Sequence, residues 1–242
     1  MTVPHPQRVL RQHLDTDRLL GVDAVPLSAS VPAAPDAPAP APPPGRDKRE
    51  TLATLDQFQV QSCTRCDLYR HRTQTVFGEG NPDAELMIVG EGPGAQEDRL
   101  GRPFVGPAGE LLDKQIVAMG LTRSHVYIAN VVKCRPPNNR TPTAVEARTC
   151  GSYLQQQIAA VRPRVILAVG GPAAKFLLDT DTGITRLRGS WHRYDNLDPP
   201  IPVMPTFHPA YLLRAYTAEN RRLVWEDLQQ VMRKLNHFAD SP

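Results

Sequence analysis

The sequence predicts an α/β fold of three layers (α/β/α), with helices on both faces of a central, mainly parallel four-stranded sheet. Three observations predict it. Short apolar runs rich in β-branched residues occupy 85–89, 125–132 and 165–169, with a proline-interrupted run at 201–204; such runs read as strands buried on both faces. Longer stretches of helical periodicity separate them, the pattern of parallel strands joined by crossover helices. The first run breaks into a glycine-rich turn, Gly90-Glu91-Gly92-Pro93-Gly94, where a strand-to-helix connection belongs.

Taken in order, Val9, Leu10, Leu14, Leu19 and Leu20 recur near helical spacing and predict a short amphipathic helix over 5–21. Residues 25–44 are dominated by Pro, Ala and Ser, a composition that buries no core and favours an extended, semi-rigid linker. This divides the chain into a tail (1–24), a Pro/Ala-rich linker (25–47) and a globular domain (48–242). A helix over 48–61 opens the domain. After the strand at 85–89, Pro107 starts a second helix, proline being tolerated in a first turn. Thr143 caps a long helix that ends near Ala160, and a last helix covers 217–237. The net charge of +3, from 28 Lys and Arg against 25 Asp and Glu, permits nucleic-acid binding without requiring it. No apolar run approaches the roughly 18 residues of a membrane span, and no signal core follows Met1, so a cytoplasmic protein is expected.

The four cysteines are Cys63 and Cys66, a C-x2-C pair, and Cys134 and Cys150, fifteen residues apart. In a reducing compartment this pattern points to a metal centre rather than to disulfides. Tetrahedral zinc and an iron–sulfur cluster both suit four thiolates. A redox-active C-x-x-C follows the first strand of a βαβ unit; here the pair precedes it. The expected role is structural, pinning the 48–61 helix to the loop between Cys134 and Cys150.

The turn at 90–94 misses the dinucleotide fingerprint, having Gly-x-Gly-x-Gly, and lacks the Lys-Ser/Thr pair of a phosphate-binding loop. Ligands of open α/β sheets bind outside the carboxyl ends of the strands, which makes Glu91 a candidate for chemistry. Asn130 and His208 end other strands on the same sheet edge. The loop 133–142 carries Lys133, Arg135 and Arg140 and no acid, so it is a candidate for contacts to a nucleic-acid backbone.

Together these segments resemble the iron–sulfur, family-4 uracil-DNA glycosylases of the uracil-DNA glycosylase superfamily. The matching pieces are the 90–94 turn with Glu97 and Asp98, the stretch 101–109 containing Phe104, the stretch 127–137 containing Asn130, and His208 to Arg214, together with the cysteine spacing. The resemblance covers roughly 48–238. It implies a structural [4Fe-4S] cluster on Cys63, Cys66, Cys134 and Cys150, and hydrolysis of the uracil–deoxyribose bond in single- or double-stranded DNA to leave an abasic site. A relative that forms a covalent adduct does so through a histidine in an inserted loop; residues 99–103 hold neither insertion nor histidine, so ordinary turnover is expected.

On this resemblance Phe104 stacks on the flipped base, Asn130 reads its edge, and Glu97 walls off the methyl of thymine. His208 and backbone N–H groups around Gly92 and Gly94 stabilise the departing anion, and Glu91 orients a water. Leu212 and Leu213 wedge into the duplex, while Arg214, Arg135 and Arg140 hold phosphates. A monomer is expected, with the tail available to a replication or repair partner. The competing expectations are a non-catalytic, cluster-bearing DNA-binding or polymerase-associated module, and a relative that also accepts other deaminated bases.

Overall fold

The computed structural model describes residues 47–235; the expected helix at 5–21 and the linker at 25–44 lie outside them. Helix α1 (Lys48–Leu55) is capped by Asp47, whose carboxylate accepts the Arg49 N–H, and runs on into a π-turn at Asp56–Val60. The sheet then alternates with helices: β1 (Glu79–Gly80), β2 (Leu86–Gly90), α2 (Ala95–Leu100), α3 (Pro107–Ala118), β3 (Val126–Asn130) and α4 (Ala144–Val161). It continues with β4 (Val165–Val169), α5 (Gly171–Leu178), α6 (Ile184–Leu187), β5 (His192–Tyr194), β6 (Ile201–Thr206), α7 (Pro209–Arg214) and α8 (Ala218–Leu235).

Strand order is β1-β3-β2-β4-β6-β5. The four predicted strands are the parallel centre, and β1 and β5 add short antiparallel edges. Pro205 is tolerated in β6 because β5 pairs only with residues 201–203, leaving that side of the strand open at 205. Thr143 caps α4 as expected: its hydroxyl accepts the Glu146 N–H at 3.2 Å and the Glu146 carboxylate accepts the Thr143 N–H at 2.7 Å.

Alternation along the strands builds two cores. Met87, Val89, Ile166 and Ala168 pack with Leu52, Leu154, Ile158 and Ala174 on one face. Leu86, Ile88, Val165 and Leu167 pack with Leu112, Ile116, Leu228 and Val231 on the other. This is the three-layer arrangement.

One ion pair crosses the second layer. Asp227, fully buried on α8, accepts from Arg188 at 2.7 and 3.1 Å and from the Thr206 hydroxyl at 2.6 Å. It ties the end of β6 to the helix behind it. Removing one member strands a buried charge, so Asp227→Ala should cost about 3–5 kcal/mol, read as a lower midpoint in denaturant unfolding. A loss within ~0.5 kcal/mol, the range of ordinary surface changes, would contradict this.

Candidate active site

The carboxyl ends of the four parallel strands open on one cleft of about 630 Å³. Pairing persists past the ends of β2 and β3: the Val131 N–H bonds Gly90 O at 2.9 Å and the Val132 N–H bonds Glu91 O at 3.1 Å. That zips Glu91 beside Asn130. The turns after β4 and β6 bring in Gly170 and His208 from the other side. Glu91, Gly92, Gly94, Glu97, Phe104, Asn130, His208 and Arg214 all line the cleft, so the sequence candidates converge as expected.

Asn130 is buried, and its side-chain oxygen has no hydrogen-bond partner. A buried amide left unsatisfied is expensive unless something else completes it. Its backbone is anchored from below, where the Lys133 ammonium donates to Asn130 O at 2.7 Å and to the Gln157 side chain at 2.5 Å. Lys133 is therefore interior, and burial pushes its pKa down to about 8. This corrects the expectation that Lys133 is one of the loop cations available to a nucleic-acid backbone. Gly90 is needed for the close approach of Asn130 and Phe104: a Cβ there would lie 2.4 Å from Asn130 Oδ1 and 2.5 Å from the Phe104 ring.

Phe104 is buried with φ +51°, a left-handed conformation that costs a bulky residue on the order of 1–3 kcal/mol. Its ring stacks on His208, with centroids 5.7 Å apart and planes 29° apart. His208 Nδ1 accepts the Ala210 N–H at 3.0 Å. A neutral imidazole accepting on one nitrogen must donate from the other, so Nε2 carries the proton. Burial and then the Arg214 charge lower its pKa to about 4, against an opposing pull from Glu97. The ring is a neutral donor at physiological pH.

Glu91 is half-buried, and burial raises its pKa above the usual carboxylate value while a Thr141 hydroxyl contact lowers it. Thr141 also lines the cleft. Glu97 is fixed by three backbone amides: Oε1 accepts from Val105 and Gly106 at 2.9 Å each, and Oε2 from Gly94 at 3.2 Å. A carboxylate held this way is a rigid wall. The same bond commits the Gly94 N–H, which corrects the expectation that it is available to an anion in the cleft.

Two further expectations change. Leu212 is buried in the core, 2% exposed, because the phase of α7 turns it inward; Leu213 is 46% exposed and faces solvent. Leu212 therefore supports the loop and does not wedge. Arg140 is paired in a fork with Glu146 at 2.7 and 2.8 Å, and that partner, ahead of the opposing effect of burial, holds the Glu146 carboxyl down at about 2. Its charge is largely spent on ordering the loop that carries Thr141. Arg135 donates to the Asn139 side chain at 2.7 Å. Gly170, Gly171, Ile184 and Thr185 also line the cleft; the glycine pair ending the 165–169 run was the available signal for the first two.

Cys63, Cys66, Cys134 and Cys150 are unpaired as disulfides and line one small enclosed space with Arg65, Arg72, Lys133 and Tyr153. The Lys133 N–H donates to Cys150 Sγ at 3.1 Å and Arg72 Nη1 to Cys134 Sγ at 3.2 Å. Cations and N–H donors aimed at sulfur suit thiolate ligands. Among the described residues, no group of three or more His, Cys, Asp or Glu side chains is arranged to hold a metal ion; the four cysteines share the lining of one space.

The family model of the uracil DNA glycosylase superfamily matches residues 77–229, a span that includes every cleft residue named above. The chain is 47% identical over 189 residues to a type-4 uracil-DNA glycosylase of Thermotoga maritima, covering 75% of this chain and 94% of the relative. The chain belongs to the type-4 family of the uracil-DNA glycosylase superfamily. Another type-4 enzyme, of Archaeoglobus fulgidus, is 45% identical over 67% of this chain and 84% of its own length. A type-5 uracil-DNA glycosylase of Pyrobaculum aerophilum is 33% identical over 73% of this chain and 88% of its own. Beside the cleft at the strand ends, the four cysteines line a separate pocket. No helix among the described residues is long and apolar enough to cross a membrane.

Proposed function

We propose that this chain excises uracil from DNA, hydrolysing the N-glycosidic bond of a nucleotide flipped into the cleft and leaving an abasic site. The observation that carries this reading is the buried Asn130 carboxamide with an unpartnered oxygen, set beside the Phe104 ring, the His208 donor and the Glu91 carboxylate. A carboxamide accepts from uracil N3–H and donates to O4. Cytosine presents the reverse pattern, and a buried mismatch of that kind discriminates strongly.

Phe104 supplies the flat face for stacking the extruded base. The neutral His208 donates from Nε2 to uracil O2, where negative charge grows as the base departs. Glu91, ionised, favours the positive charge developing on the sugar and orients the water that adds to its anomeric carbon. Glu97, immobile on its three amides, fills the space a thymine methyl needs. Leu213 enters the gap left in the stack, and Arg135, with Arg214 and the remaining donors of Arg140 at the cleft wall, holds phosphates.

Cys63, Cys66, Cys134 and Cys150 would hold a [4Fe-4S] cluster, which when bound supplies a structural cross-link between the segment after α1 and the start of α4. We assign excision to the 48–242 domain, acting as a cytoplasmic monomer on single- or double-stranded DNA, and assign residues 1–24 and 25–47 the part of a tethered docking segment for a replication or repair partner.

Brown, cluster-loaded protein incubated with a uracil-containing oligonucleotide should release free uracil and leave an alkali-labile site, with thymine and cytosine controls untouched. Loaded protein that leaves the uracil strand intact defeats the reading. Release of hypoxanthine or xanthine at comparable rates would move it to the broader class of deaminated-base glycosylases.

A further inference from the structure

We propose that Arg123 is a positioning residue for excision, holding the backbone that presents the Phe104 ring to the base. This rests on the reading of Phe104 as the stacking platform.

Arg123 does not line the cleft. It stands in the turn before β3, and its guanidinium reaches two successive carbonyls, Pro103 O at 2.6 Å from Nη2 and Phe104 O at 3.0 Å from Nη1. The remaining capacity is taken by two acids: Glu79 Oε1 at 2.7 and 3.0 Å, and Asp113 Oδ1 at 2.7 Å. Those acids sit on β1 and α3, so two elements fix the orientation of the fork. Arg102 braces Glu79 from outside at 2.7 and 3.1 Å.

On the opposite side of the loop, Glu97 takes the next two amides, Val105 and Gly106. Around a residue at φ +51°, one cation thus holds the carbonyls on both sides of it and one anion holds the two amides that follow it. Gly109 closes the arrangement, since a Cβ there would fall 1.9 Å from Phe104 O. A phenylalanine in a left-handed conformation relaxes unless its surroundings over-determine it. Arg123 is the part of that determination contributed from outside the cavity, and only a planar fork with several fixed donors spans two consecutive carbonyls and two carboxylates at once.

The consequence is kinetic. If the ring drifts, the base still enters the cleft but is misaligned with His208 and Glu91, and small misplacements slow the chemical step by up to about a hundredfold. Arg123→Lys keeps the charge beside Glu79 and loses the fork; Arg123→Met loses both. The test is a double-mutant cycle in single-turnover excision, with each substitution made alone and in a Phe104→Ala background, and thermal melting and visible absorbance used to establish folded, loaded protein.

Expected is a loss of roughly ten- to a hundredfold for Arg123→Lys in the native background and no further loss once Phe104 is alanine. Equal losses in both backgrounds, or no loss in the native one, overturn the proposal. Should Arg123→Met fail to fold, Arg123→Lys carries the cycle alone. If Phe104→Ala itself excises at the native rate, the stacking assignment fails, a result distinguishable from failure of the clamp.

Discussion

Single-turnover excision by Glu91→Gln falls by about 10²–10⁴-fold, the range of a general-base contribution, while affinity for uracil-containing DNA is retained. In the proposed reaction the Glu91 carboxylate acts on the sugar side, and glutamine keeps its shape without its charge. The pH profile separates this role from a steric one. Burial raises the Glu91 pKa, so the ionised, active form is lost as pH falls through a value above the ordinary carboxylate range. His208 stays neutral down to about pH 4. Glu91 is therefore expected to lose its charge before His208 gains one, and native excision should decline on acidification within that window. In Glu91→Gln the decline should vanish and the low residual rate stay flat until His208 protonates. An unchanged acid limb in the variant removes Glu91 from the chemistry.

The second large loss is expected in His208→Ala. Removing one preorganised donor from a developing anion typically costs on the order of 10²–10³ in rate. The Ala210 N–H bond to Nδ1 places the proton on Nε2, so the histidine acts as a neutral donor and needs no protonation step. The loss should therefore be the same across neutral and mildly alkaline pH, and Phe104 loses a stacking neighbour without leaving its clamp. A variant within twofold of the native rate, assayed under single turnover, is incompatible with that role.

Much of this was legible in the residues themselves. The strands at 85–89, 125–132 and 165–169 were visible because a strand buried on both faces must be apolar throughout, and the helix cap at Thr143 because its partner Glu146 stands three residues on. Edge strands β1 and β5, two and three residues long and partly exposed, carry no such pattern. The convergence of Glu91, Asn130 and His208 followed from their places at the ends of parallel strands, whereas Phe104, between α2 and α3, was placed there only by the family resemblance.

Contacts set by tertiary packing were not legible. Leu212 and Leu213 are adjacent and chemically identical, and only the phase of a six-residue helix decides which is interior. The basic look of 133–142 dissolved because Lys133 turns into the core and Arg140 finds Glu146. Arg123 and Glu97 gave no signal of their shared task, since neither the left-handed turn at Phe104 nor the carbonyls and amides it exposes has a sequence mark. For the same reason the amide of Gly94 looked available while Glu97 held it.

The central claim is that one cavity at the strand ends takes an extruded uracil, read by Asn130 and polarised by His208. The most direct measurement is a crystal structure with abasic DNA and free uracil. It should place the base stacked on Phe104, with the Asn130 carboxamide on N3–H and O4, His208 Nε2 on O2 and Glu91 facing the sugar. Uracil bound away from Asn130, or the base edge turned from His208, would contradict the account.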